Sequence, residues 1–167
     1  INGRKTIEVR KTRPKMDTPF KCYIYCTQSA DMLWILKERE RSLHPDKIAD
    51  VFKAAKCGGA YRGNGKIIGE FTCNRVTNLF SNSRFWLDED DVLHTCLSAA
   101  EMRKYANGAN GLYGWHISNL RIYDTPRELR EFYAVPNEVE VALKAKPKPI
   151  TRLPQSWRYV EEETWND

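Results

Sequence analysis

The sequence predicts an α+β domain built on one curled, mostly antiparallel sheet with short helices at its flanks. Three observations lead there. Four stretches alternate apolar and polar residues with period two between turn residues. Two Ser/Thr-x-x-Glu boxes mark the starts of short helices. At 167 residues, 41% hydrophobic and 29% charged, the chain has the material for one core and not the composition of a disordered segment.

The first strand stretch is Thr6 to Lys11, where Ile7 and Val9 alternate with Glu8 and Arg10. The second, "FKCYIYCT", sets Phe20, Cys22, Ile24 and Cys26 against Lys21, Tyr23, Tyr25 and Thr27. The third, "GKIIGEFTCNRV", sets Ile67, Gly69, Phe71 and Cys73 against Lys66, Ile68, Glu70 and Thr72. The fourth is "LYGWHISNLRIYD". There Tyr113, Trp115 and Ile117 share one parity and Leu120 and Ile122 the other, so a bulge near Ser118 and Asn119 is expected to bring both sets to one side.

Helices are specified by their ends. Ser98 and Glu101 form a capping box, and Asn107-Gly108 ends that helix. In "TPRE", Thr125 is the expected cap and Glu128 its partner, starting about two turns through Phe132. The long stretch 28–64 holds amphipathic pieces at Met32 to Arg41 and Asp46 to Lys56, separated at His44-Pro45. It reads as a helical, basic insert carrying Lys37, Arg39, Arg41, Lys47, Lys53, Lys56 and Arg62. Residues 1–133 are read as one domain with this insert. Residues 134–167 form an extension, a Pro/Lys-rich linker "KAKPKPITRLP" before a last strand in "QSWRYVEEE".

Charge narrows the function. Residues 1–66 carry 15 Lys and Arg against 7 Asp and Glu, +8, leaving 12 against 15, −3, for residues 67–167. A positive field concentrated in one part of the chain attracts polyanions. No apolar run approaches a membrane span and no leader is visible, so the expected location is the cytoplasm. The five cysteines include no C-x-x-C pair, and the three histidines have no zinc spacing with them; buried free thiols are expected, and neither a metal nor a cofactor. Cys22 and Cys26, four apart on a strand, lie roughly 13 Å apart, too far for a bridge.

The stretch "NGRKTIEVRK" is the most informative. On a strand the core takes Ile7 and Val9, while Glu8 and Arg10 stand about 7 Å apart on the other face with Lys5 just before them. Lysine as mobile donor, arginine as forked donor and a carboxylate as acceptor or base can hold a polar ligand. The alternative is an edge strand protected by its charges.

Gly3-x-Lys5-x-x-Glu8-x-Arg10 resembles the signature of the ASCH domain family, of the PUA-like superfamily. "PFKCYIYCT", "GKIIGEFTC", "LYGWHISNLRIYDTPRELREF" and the "RLPQSW" tail are similar to segments of bacterial and phage members. The resemblance implies a PUA-like curled, mostly antiparallel β-barrel with flanking short helices. It also implies a cleft, lined by the motif strand, for RNA, single-stranded nucleic acid or a nucleotide-like small molecule. Family members usually have a strand and a helix before the motif, whereas here Ile1 stands almost at it, so either the sequence is a fragment or that segment is missing. Carried over, Lys5, Glu8 and Arg10 line the cleft. Trp115, Tyr23 and Tyr25 are candidate stacking rings and His116 a candidate titratable group, although core packing is the commoner role of such aromatics.

Binding of RNA or a nucleotide-like ligand is the leading expectation. Hydrolysis is the alternative. A ribonuclease would use Lys5 as acid or charge stabiliser, Glu8 as base and Arg10 as phosphate clamp. The related amidohydrolases of modified nucleosides carry a threonine nucleophile where this chain has Glu8, and Thr6 does not replace it without a rearranged mechanism. A third reading is protein interaction through the insert and the tail tryptophans Trp157 and Trp165. Oligomeric state is not legible.

Overall fold

The computed structural model describes residues 4–41, 48–81 and 89–162. Eight strands and four α-helices occur among them. They are β1 (Ile7–Arg10), β2 (Phe20–Tyr25), β3 (Trp34–Leu36), α1 (Ile48–Lys56), β4 (Ala60–Arg62), β5 (Lys66–Ser81), α2 (Glu89–Thr95), α3 (Ala99–Ala106), β6 (Gly111–Glu128), β7 (Phe132–Ala134), α4 (Glu138–Ala142) and β8 (Val160–Glu162). The four strands expected to share a sheet do so, in the order β1-β6-β5-β2.

The expected barrel is not formed. Closure requires the two outer strands of a sheet to pair with each other, and this sheet ends at β1 on one side and β2 on the other, neither closed nor strongly curled. The remaining described strands pair among themselves, β3 with β4 and β7 with β8, so the fold is α+β with three sheets among the described residues.

The chain divides into two compact units, 1–23 with 70–121 and 24–69 with 122–167. In the first unit Ile7, Val9, Leu79, Met102, Ala106 and Leu112 form the core, with Val92 and Leu97 against it. α3 is fixed at both ends as its sequence specifies. The Glu101 amide donates to Ser98 Oγ at 3.2 Å, and the Ser98 amide donates to Glu101 at 2.8 Å. Asn107 and Gly108 end the helix in left-handed conformations. Buried Thr95 closes α2, its hydroxyl donating to the Val92 carbonyl and accepting from the Leu97 amide.

In β6 the backbone turns left-handed at Asn119 (φ 50°), next to the expected bulge. Leu120 nevertheless stays exposed, while Ile122 is half-buried.

In the second unit the piece Met32 to Arg41 is not a helix. Trp34–Leu36 pairs antiparallel with Ala60–Arg62, and only Glu38–Glu40 makes a 3-10 turn. A strand partner 24 residues on overrides the local periodicity. Asp46 to Lys56 does yield a helix within its described part, α1. The "TPRE" helix is also displaced: β6 runs on through Glu128, and the 3-10 turn Leu129–Glu131 starts later. Glu128 donates its amide to Glu131 at 2.6 Å and its carboxylate pairs with Lys66, so its role is that of cap and not of cap partner.

The tail contributes β8, which pairs with β7, and α4, which sequence periodicity did not indicate. The proline-rich stretch is extended and hydrogen bonded: the Ile150 amide donates to Phe132 and the Ala134 amide to Lys148, burying Ile150. All five cysteines are free, but Cys57 and Cys96 are exposed and only Cys73 is fully buried, against the expectation of buried thiols. No helix among the described residues is long and apolar enough to cross a membrane.

Candidate functional site

β1 alternates as its sequence dictates. Ile7 and Val9 are buried at 1% and 4% exposure, and Glu8 and Arg10 take the opposite face, half-buried. Antiparallel register with β6 sets Glu8 across from Trp115 and Arg10 across from Tyr113. Directly opposed residues share a face. Trp115 is buried at 5% exposure and meets Phe20 edge to face, with ring centroids 5.5 Å apart, so the charged residues rest beside an aromatic floor.

Glu8 joins the two cations. Its Oε2 accepts from Lys5 Nζ at 2.6 Å and its Oε1 lies 3.0 Å from a terminal nitrogen of Arg10. Each oxygen thus has its own cation, and Glu8 holds Lys5 and Arg10 in place more readily than it could act as a free base. Arg10 Nε is buried and has no hydrogen-bond acceptor among the described residues. The Cys22 thiol is pushed up to about 12, chiefly by burial, then by Cys73 and Glu8, with Arg10 opposing. It is a neutral neighbour of the charged group and not a nucleophile.

The sequence-derived candidates divide sharply. Lys5, Glu8 and Arg10 come together. Trp115 is on their face but in the core, so its ring is not available for stacking. His116 faces the other way, opposite Ile7, with Arg75 3.3 Å from Nδ1 and Thr77 3.0 Å from Nε2. Desolvation and the Arg75 charge lower its pKa; nearby Asp91 opposes this and His94 adds to it. An arginine can only donate to Nδ1, so the proton of neutral His116 sits on Nε2 and is given to Thr77. Tyr23 alternates with Cys22 and turns its ring to Lys21, at 5.7 Å. Tyr25 belongs to the second unit, its hydroxyl pKa raised first by burial and then by Cys26.

The basic insert is equally uneven. Arg41 donates to the carbonyls of Leu36 and Ile122 and to Asp124, a structural clasp. Arg39 pairs with Glu40 at 3.2 Å. Lys37 precedes the 3-10 turn, its amide donating to Gly59. Lys53, Lys56 and Arg62 are exposed. Lys47 lies outside the described residues, as does Trp165, while Trp157 packs edge to face on Tyr159. Phe20, Cys22 and Tyr113 complete the β1 face beyond the residues that the motif indicates. The parity of β2 marks the first two, but Tyr113 emerges only from the β1 to β6 register.

No protein-family model matches the chain, and no curated protein matches it. The resemblance of the Gly3 to Arg10 motif therefore rests on its own residues.

Proposed function

We propose that the β1 face binds RNA or a nucleotide-like ligand through Lys5 and Arg10, with Glu8 fixing the positions of both cations. The observation that carries this reading is the pair of partly exposed cations, Lys5 and Arg10, held side by side by the two oxygens of Glu8, with Arg10 giving Glu8 a terminal nitrogen and its Nε buried with no acceptor among the described residues. An unsatisfied N–H is costly, and a phosphate or base oxygen is the acceptor that a guanidinium fits best. The resemblance of the motif to the ASCH signature points to the same ligand class. Five thiols free of bridges fit a reducing compartment, and we place the protein in the cytoplasm.

Hydrolysis with Glu8 as base is less favoured, because proton transfer would first have to break one of its two ion pairs. Fluorescence anisotropy with a labelled single-stranded RNA tests the reading. Affinity is expected to fall steeply with added salt, and Lys5→Ala and Arg10→Ala are each expected to weaken binding with thermal midpoints near wild type. Wild-type affinity in both variants would return β1 to the role of a charge-protected edge.

A further inference from the structure

The second unit carries an aromatic pair that the β1 reading does not use. Trp34, the first residue of β3, and Phe52, in the middle of α1, meet edge to face with ring centroids 6.1 Å apart. α1 turns Val51, Ala54 and Ala55 toward its unit, and Phe52, about 100° round the helix from Val51, is left 45% exposed. Lys56, four residues on, lies on the face of Phe52. Antiparallel register sets Arg62 directly across from Trp34, on the same side of the small sheet. Arg62, Lys53 and Lys56 are exposed, and none of the three is in an ion pair with a described residue. Trp34 Nε1 is buried, with no hydrogen-bond acceptor among the described residues.

Single exposed apolar side chains are ordinary. Here a half-exposed ring that meets an indole edge to face is accompanied by three exposed cations with no ion pair among the described residues. Lysine is depleted at the centres of protein interfaces, whereas an aromatic platform among cations is how single strands are held: the base stacks on the ring and the phosphates meet the charges.

We propose that Phe52 and Trp34, with Lys53, Lys56 and Arg62, form a contact site for single-stranded nucleic acid, Phe52 being the ring on which a base stacks. This rests on the β1 reading for its ligand class only, since every residue of it lies in the other unit.

Anisotropy with a labelled oligouridylate of about 12 nucleotides, within the usual site size, tests it. Phe52→Ala and Phe52→Leu are each expected to lower affinity roughly 5- to 100-fold, the scale of removing one stack, while Phe52→Tyr stays within about twofold of wild type. Lys56→Ser and Arg62→Ser are each expected to flatten the logarithmic salt dependence by about 0.7 for every phosphate that is no longer neutralised. Because Phe52 is 45% exposed but also meets Trp34, circular dichroism is expected to show each variant folded at the assay temperature, with Phe52→Ala melting somewhat below wild type and Phe52→Tyr close to it. Wild-type affinity in Phe52→Ala overturns the proposal. So does wild-type affinity in Phe52→Leu, which would make the contact merely apolar, and so does loss of self-association in Phe52→Ala with oligonucleotide affinity unchanged, which would assign the patch to a second copy. If only Lys5→Ala and Arg10→Ala weaken binding, this site fails and the β1 reading stands; if only the Phe52 variants do, this site stands and the β1 reading fails.

Discussion

Arg10 and Arg41 each sit beside a carboxylate, yet they do different work. Arg41 sends its N–H groups to two carbonyls and to Asp124, joining the turn at Glu38–Glu40 to β6, and Asp124 also accepts the Glu38 amide at 2.7 Å. Among the described residues Arg10 gives a terminal nitrogen to Glu8 and has no acceptor for Nε. Counting cations along the sequence treats the two alike. What separates them is how many of the five guanidinium donors already have partners, and the residue with donors to give is the better candidate for a ligand.

The sharpest test of this contrast is Arg10→Ala, expected to weaken RNA binding by roughly 1 to 3 kcal/mol while changing stability by about 0 to 1 kcal/mol. Arg41→Ala is expected to do the reverse, lowering the free energy of unfolding in urea by about 1 to 2 kcal/mol as its hydrogen bonds to the two carbonyls disappear and leaving the affinity of folded protein unchanged. If the two variants exchanged phenotypes, the assignment of donors would be wrong.

Smaller effects come from titration. The Cys22 thiol, raised from its ordinary 9.0 to about 12, stays protonated in the fold where the unfolded chain ionises. Its stabilising contribution is full below pH 9.0 and is lost as pH climbs toward about 12. Urea midpoints across that range are expected to decline less in Cys22→Ala than in wild type; equal declines would remove Cys22 as a cause. The smallest effect is that of His116, whose pKa lies below the ordinary 6.5. The unfolded chain takes up this proton first, so stability is expected to fall as pH drops below about 6.5. His116→Gln should flatten that part of the curve, and an unaltered acid limb would show that His116 does not contribute.

What the sequence made legible was local. The Ser98 and Glu101 box, the Asn107-Gly108 stop and the parity of β1 are each set by neighbours within a few residues, and each appears in the structure where it was read. The errors share a different cause. Trp34-Ile35-Leu36 looks helical until Ala60–Arg62 pairs with it. Closure of the sheet depends on whether its two outer strands meet, which alternation along a strand does not encode. Thr125 fails as a cap because β6 continues past it. α4 did have a local mark, since Asn137 and Glu140 form a capping box with amide contacts of 3.0 and 2.9 Å, but it lies in a stretch whose composition reads as linker. For the site, the shared face of Glu8 and Arg10 followed from period-two spacing, while Lys5, of the other parity and ahead of the strand, reaches Glu8 by its long side chain, and the placement of His116 opposite Ile7 required the register of β6 on β1.

Gly114 stands across from Val9, and a Cβ there would come within 2.9 Å of Ile7 Cγ2, 3.1 Å of Leu79 Cδ2 and 3.1 Å of Thr77 Oγ1. All three are in or beside the packed side of the sheet, where displacement is resisted. A strand is one rod with residues on both sides, so a shove against Ile7 is felt by Glu8 and Arg10 as a change of position. The hydrogen atom at Gly114 thus sets how far the charged side of β1 stands from β6, although the atoms a Cβ there would meet belong to Ile7, Leu79 and Thr77 and not to a charged residue. In a saturation library sorted for binding alone, this position would come back as glycine, and its intolerance would look functional while its origin is the spacing between two backbones.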